Sequence, residues 1–357
     1  MTTGSTIEEV ALDDRLVEMA TAGLELMSIY LGRQLGLYEA LSEPRTVDQL
    51  ANVAGIDQRY AREWLEQQTT AGFVEVDDPA EPPHRRVFSL PGRHREVLVD
   101  SESPFHVGPL AEMVVGVSQV IDDVTDAYRT GEGVPYARYG ATFRSGQGGI
   151  NRPAFVNDLV DPWLAESIPD VVTRLASGGR IADLGCGVGW STLALAKGFP
   201  QAHVVGIDSD EASIADARSN ASASLVSPDF VAADAASLGQ QGPFDLVLLL
   251  EALHDLAEPG EILRQARSAL RADGVLVVAD EKVADSFHAN GDLIERMMYG
   301  WSVVHCLPAA RAEENSAAIG TVLREGVLRQ LALSAGFRTV DTSEVDAGFF
   351  RIYVLRP

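Results

Sequence analysis

The sequence predicts two domains. The first is mainly helical; the second is a larger α/β domain on a mostly parallel, doubly wound sheet that ends in an antiparallel pair. Three observations carry this reading. From residue 180 onward, apolar strand-like runs alternate with helical ones, the pattern of a parallel sheet covered on both faces. The first of these runs meets its helix at a glycine-rich turn, Gly185, Gly187 and Gly189. Residues 1–100 differ, with helical periodicity followed by two short β runs, and 357 residues exceed one typical domain.

In the N-terminal part, apolar residues recur at helical spacing from Leu16 to Leu41 (Leu24, Met27, Leu31, Leu35), with Gly32 and Gly36 as sites of close helix packing. Thr46 and Gln49 form a capping box for a short helix through Ala51. Asp57 caps a longer one whose Ala61, Trp64, Leu65 and Gly72 share a face. Two β runs follow, Phe73 to Val76 and Arg86 to Leu90. This is the order of a winged helix, read as residues 1–100. Residues 101–165 read as a helical bridge: a helix from Leu110 to Val124, a flexible centre (TGEGVPYARYG, then SGQGG), and a helix from Phe155 to Ile168 broken at Pro162. Tyr136 and Tyr139 are candidate lid residues.

The α/β domain is read as 166–357. Ile181, Ala182 and Leu184 lie on its first strand, and Leu193, Leu195 and Ala196 on the helix after the turn; Val204, Val205 and Ile207 lead to Asp208. Asp210 opens a helix to Ala221, Phe230 to Ala233 is a third strand before Asp234, and Phe244 to Leu250 a fourth. Pro259 starts a helix through Leu270, and Gly274 turns into a fifth strand, Val275 to Ala279. Residues 282–320 are too long for a plain loop and should hold helices, with VVHCLP among them. A helix from near Thr321 to Ala335, the Gly336 stop, and strands Arg338 to Glu344 and Phe349 to Leu355 complete the chain.

A glycine turn between strand and helix lets a ligand approach the backbone, and an acid ending the next strand can accept from ribose hydroxyls. The spacing here is G-x-G-x-G, not the G-x-G-x-x-G of dinucleotide sites, and Asp183 precedes it by two residues. A carboxylate there repels a pyrophosphate but suits an ammonium and a sulfonium. The implied ligand is an adenosine with a cationic tail. On these residues, DLGCGVG then GID, the chain resembles the class I S-adenosylmethionine (SAM) methyltransferases, and the resemblance runs through Asp234 and FDLVLLLEALHD over residues 165–357. It implies a Rossmann-like seven-stranded methyltransferase sheet with a C-terminal antiparallel hairpin. It also implies SAM contacts from Asp183, Gly185, Gly187, Gly189, Asp208, Ser209, Asp234 and Ala235. The N-terminal part resembles plant-type small-molecule O-methyltransferases and their bacterial relatives, which implies a winged-helix dimerisation domain and a homodimer.

Composition narrows the partners. Fifty-two acidic residues against 28 basic ones give a net charge of −24, and no Lys/Arg run appears, so nucleic acid is not an expected partner. Two cysteines offer no disulfide framework. The stretch MTTGSTIEEV lacks a signal-peptide pattern and no run reaches membrane-spanning length, so a cytoplasmic protein is expected, with no membrane partner.

The fourth and fifth strands deliver Glu251, His254, Asp255, Asp280 and Glu281 to the sheet edge where open α/β sheets bind ligands. His254 is the candidate general base, because an ordinary imidazole is neutral at working pH. His254-Asp255 matches the HD of the plant enzymes, with Leu256 where they carry Trp; the resemblance makes Asp280 the supporting acid. The expected function is methyl transfer to a small-molecule hydroxyl. Two alternatives stay open. One is a SAM-sensing regulator using the winged helix on DNA. The other, by resemblance to 2-oxo-acid C-methyltransferases, is a metal-dependent enzyme with His254, Asp255 and His305 as ligands.

Overall fold

The fold is that of a computed structural model, which describes residues 11–357. The stretch MTTGSTIEEV, in which no signal-peptide pattern is read, lies outside the described residues. Contacts divide the chain into two compact units, one ending at Val115 and the other running from Gly116 to Pro357.

The first unit opens with the helix Leu12–Gln34, then Leu37–Ala40. Gly32 does provide close packing: a Cβ there would lie 2.5 Å from the Trp64 ring and 2.6 Å from Tyr38. Gly36 plays a different part, taking φ +64° to turn the chain between the two helices. β1 (Arg45–Thr46) precedes the helix Val47–Ala54, whose Thr46 and Gln49 form the expected capping box. Asp57 caps Gln58–Thr70 through the N–H groups of Arg59 and Tyr60. β2 (Glu75–Val76) and β3 (Val87–Ser89) pair antiparallel, and β1 joins them in the order β1-β3-β2. Tyr38, Leu41, Leu50, Leu65 and Phe88 are buried in one core. The helix Gly92–Leu98 closes the winged helix.

The stretch expected as one helix from Leu110 to Val124 is two, Leu110–Ser118 and Ile121–Thr130, separated at Val120, whose backbone (φ −116°, ψ 13°) is not helical. The centre expected to be flexible is also ordered. A short 3-10 turn, Tyr136–Tyr139, leads into the helix Gly140–Asn157, which contains the whole SGQGG run. Packing overrides the poor helix propensity of glycine here. A Cβ on Gly148 would come 2.2 Å from Val188 Cγ2, so only glycine lets this helix lie against the glycine turn. The break at Pro162 is present: Asp161 is extended (φ −143°, ψ 115°), as a residue before proline favours.

The second unit holds a seven-stranded sheet: β4 (Gly179–Leu184), β5 (Ala202–Asp208), β6 (Asp229–Ala232), β7 (Phe244–Leu250), β8 (Leu270–Glu281), β9 (Thr339–Thr342) and β10 (Phe350–Arg356). Their order is β6-β5-β4-β7-β8-β10-β9, with β10 antiparallel to both neighbours. β8 is longer than expected at both ends, because its pairing with β7 reaches back to Leu270 across an irregularity and its pairing with β10 runs on to Glu281. Alternate residues feed two cores. Leu184, Ile207, Leu249 and Val278 face one, and Ile181, Val204, Leu248 and Val277 the other. Each such side chain contributes about 1.5–3 kcal/mol on burial, so the central strands hold the sheet between its helical layers. The chain builds outward from β4 to β6 and then returns to β7 on the other side of β4. The carboxyl ends of β4 and β7 therefore diverge at a switch point, where such sheets bind ligands. The insertion holds the expected helix, Leu293–Trp301, which passes through a wide turn (Ser302–Cys306) into Leu307–Arg311.

Candidate active site

The glycine turn is built by three left-handed residues, Gly185 (φ +70°), Gly187 (φ +51°) and Gly189 (φ +87°). A Cβ on Gly185 would strike Ala252 at 2.7 Å, and one on Gly189 would strike Ala217 and the Phe230 ring at 2.9 Å. Gly187 is different: among the described residues nothing lies within 4 Å of where its Cβ would be, so the backbone is open to a ligand. Asp208, ending β5, receives the Gly187 N–H at 2.8 Å and the Asp210 N–H at 2.8 Å. Burial raises its carboxyl above the usual range against those two bonds. Asp183 is fully buried and accepts hydrogen bonds from the Ser191 and Thr192 hydroxyls, each at 2.6 Å. Burial still lifts it to about 6. Ser209 is exposed beside Asp208. Asp234 is also exposed and caps the short turn Ala235–Gln240 through the Ala236 N–H at 2.7 Å.

One strand over, His254 lies in a turn just past β7 and is 2% exposed. Its Nδ1 sits 3.0 Å from Asp280 Oδ1 and 3.6 Å from Glu281 Oε2, and its Nε2 lies 3.5 Å from Asp255 Oδ1. Burial works against charge on this ring, but the three carboxylates outweigh it and hold the imidazole well above 6.5. The expectation of an ordinary, neutral imidazole is thus corrected: with acids facing both nitrogens, the imidazolium is favoured. Burial pushes Asp280 up, but the His254 charge and the hydrogen bonds from His254 and Glu281 together outweigh it and hold the carboxyl below its usual range, whereas burial pushes Glu281 well up.

Glu251 follows β7 directly. Burial raises it to about 7 against the pull of His254 and a hydrogen bond from Asn151. Of the two candidate lid tyrosines, Tyr136 hydrogen-bonds Gln147 at 2.9 Å, and Tyr139 the Val304 carbonyl at 3.0 Å. Both rings, with Phe143, pack on His305 at centroid distances of 5.8, 4.5 and 4.1 Å. Burial lowers His305 to about 4, and its Nε2 has no hydrogen-bond partner among the described residues. Among the described residues, donor atoms of His254, Asp255 and Cys306 lie within 4.8 Å of one another; His305 is not in that group. Asn151 and Cys306 are site neighbours that the sequence does not single out. Asn151 sits in the glycine-rich stretch that reads as a loop. Cys306 reads only as the neighbour of His305, though the HC pair itself is visible.

A sheet in this order, with a glycine turn after its first strand and acids ending the next ones, in a chain that begins with a winged helix, defines a two-domain methyltransferase architecture. Residues 175–322 match the family model of a methyltransferase domain, and residues 22–99 that of the Rv2258c-like winged HTH domain. The chain carries both domains. Trans-aconitate 2-methyltransferase of Escherichia coli O7:K1 is 39% identical over 98 residues, 28% of this chain. That stretch spans 37% of the relative's length, so the chain spans little more than a third of the curated relatives it matches. Across whole chains, human N-acetylserotonin methyltransferase in complex with SAM aligns with a TM-score of 0.66 at 17% identity, covering 100% of this chain and 99% of that one. An O-methyltransferase family protein from Burkholderia thailandensis aligns with a TM-score of 0.71 at 14% identity, covering 97% and 98%. At such identity these structures establish the fold.

Proposed function

We propose that the protein is a SAM-dependent methyltransferase that methylates a hydroxyl of a small molecule, with His254 as general base. The observation that carries this is adjacency. The glycine turn touches Ala252, two residues from a histidine that is paired to an acid. The residues fit the cofactor: Gly187 leaves its backbone open, Asp208 and Ser209 would hold the ribose, and Asp234 and Ala235 would hold the adenine. Asp183 orders the helix start through Ser191 and Thr192 and, with the glycine turn, would face the methionine part. SAM supplies an electrophilic methyl group on a sulfonium when bound. The chain's own residues position the acceptor, worth roughly 7–11 kcal/mol, and remove its proton, worth a factor of about 10²–10⁴. Asp280 fixes the ring through Nδ1, which leaves Nε2 to receive that proton. His254 must first lose its own, and a positive charge bound beside the same carboxylates lowers its pKa in the required direction. Calorimetry with SAM tests the cofactor assignment. Asp208→Ala should lose one or two charge-assisted hydrogen bonds, about 1.5–3 kcal/mol each, and unchanged affinity would reject it.

A second reading is favoured by one observation: His254, Asp255 and Cys306 converge, with Asp255 Oδ1 lacking a hydrogen-bond partner among the described residues. Those donors suit zinc or iron, with Asp280 behind His254 as supporting acid. Elemental analysis, with activity on phenols and 2-oxo acids before and after chelation, separates the two chemistries. Activity that survives chelation keeps the base reading.

We read the winged helix as a dimerisation platform. Leu16, Leu24, Met27, Leu31 and Leu35 leave an apolar row exposed on and just past its first helix. On the helix that would read DNA, Arg59 and Arg62 pair with Glu63 and Glu66. Sedimentation as a monomer at micromolar concentration would refute the dimer. We take the protein to be cytoplasmic; no described helix is long and apolar enough to cross a membrane.

A further inference from the structure

We propose that Glu251 binds the cationic methionine end of SAM, with Asn151 holding its carboxylate in place; this rests on the SAM reading above. Three independent features of the chain converge on this residue. The first is position. Leu249 of β7 pairs with Leu184 of β4, so Glu251, two residues on, stands beside the glycine turn that starts at Gly185. The Glu251 N–H is fixed on the other side by the Ala279 carbonyl at 2.8 Å.

The second feature is backbone strain. Glu251 has φ +50°, and the other described non-glycine residues with positive φ, Asn315 and Ala318, lie in the long insertion. A left-handed conformation without glycine is strained, because Cβ crowds the following carbonyl oxygen. Glycine would remove that strain at position 251 but would also remove the carboxylate. Strain retained at a strand end beside a ligand turn indicates a side chain needed in one direction.

The third is an unmet charge. The Glu251 carboxylate accepts a hydrogen bond from the neutral amide of Asn151. Among the described residues, His254 acts on it as a cation, and that ring is shared with Asp280, Glu281 and Asp255. A half-buried carboxylate in that company is short of positive charge, and a ligand bearing both an ammonium and a sulfonium supplies it. Asn151 lies on the helix Gly140–Asn157, whose Gly148 rests against Val188 of the same turn. That helix and β7 therefore bracket the place where the methionine end would lie.

The test compares two ligands by calorimetry, SAM and 5′-methylthioadenosine. The second has the adenosine and a neutral thioether but neither cation. Glu251→Gln keeps the shape and removes the charge. It should weaken SAM at least tenfold and leave methylthioadenosine within twofold of wild type. Glu251→Gly, which relaxes the backbone, should show the same selective loss, so that a folding defect in one variant does not decide the outcome. SAM affinity within threefold of wild type in a folded variant overturns the proposal. Parallel loss of both ligands also overturns it, since Glu251 would then only shape the turn. Failure of the wild type to bind either ligand refutes the SAM reading itself, and this inference with it.

Discussion

Replacing Asp183 with Asn should change the pH dependence of stability in a defined window. Asp183 is 1% exposed, and burial lifts its carboxyl from 3.8 to about 6. Because the folded value lies above the unfolded one, the proton is held more tightly in the folded chain. The associated stability is fully present below pH 3.8 and is lost as the pH rises to about 6. At ~1.36 kcal/mol for each pH unit between those two values, the total is about 3 kcal/mol. Asparagine has no such ionisation, and its side-chain oxygen can still accept from Ser191 and Thr192. Of that total, about 2 kcal/mol falls between pH 4 and pH 6, so the stability of Asp183→Asn relative to wild type should rise by about that much over the window and level off about one pH unit higher. Urea denaturation at several pH values, followed by the fluorescence of Trp163 and Trp190 in the same unit, measures this difference and cancels the other acids. A difference that does not change with pH would refute the claim that Asp183 is buried at the cost of its charge. The same variant should bind SAM more weakly, a reason to keep a destabilising acid.

Gly189→Ala should destabilise the second unit by about 2–5 kcal/mol, combining left-handed strain with overpacking; its new Cβ would lie 2.9 Å from Ala217 and Phe230. Thermal unfolding measures it, and a wild-type midpoint would show that the turn can relax. Asp280→Asn removes the largest charge holding the His254 proton. The rising limb of kcat/KM against pH should move to lower pH, while the maximum rate falls by about 10²–10⁴. A limb that stays in place would mean that His254 is not the base.

The sequence by itself determined the sheet. Each strand from β4 to β8 is centred on a short apolar run, and β9 and β10 follow the Gly336 stop, so local pattern and global fold agree. The same holds for the capping box at Thr46 and for the glycine turn, whose conformations are dictated by the residues that adopt them. Tertiary structure decided what depends on distant neighbours. SGQGG reads as a loop because glycine is a poor helix former; it is a helix because Val188, 40 positions from Gly148, comes within 2.2 Å of that glycine's missing Cβ. His254 reads as an ordinary imidazole, and Cys306 as a bystander. The charge state of one and the company of the other are set by acids and donors that the β7, β8 and insertion segments bring together. Hydrophobic periodicity is encoded locally and survives in one dimension. Electrostatic environment and close approach depend on distances in space, and those exist only once the sheet has closed around them.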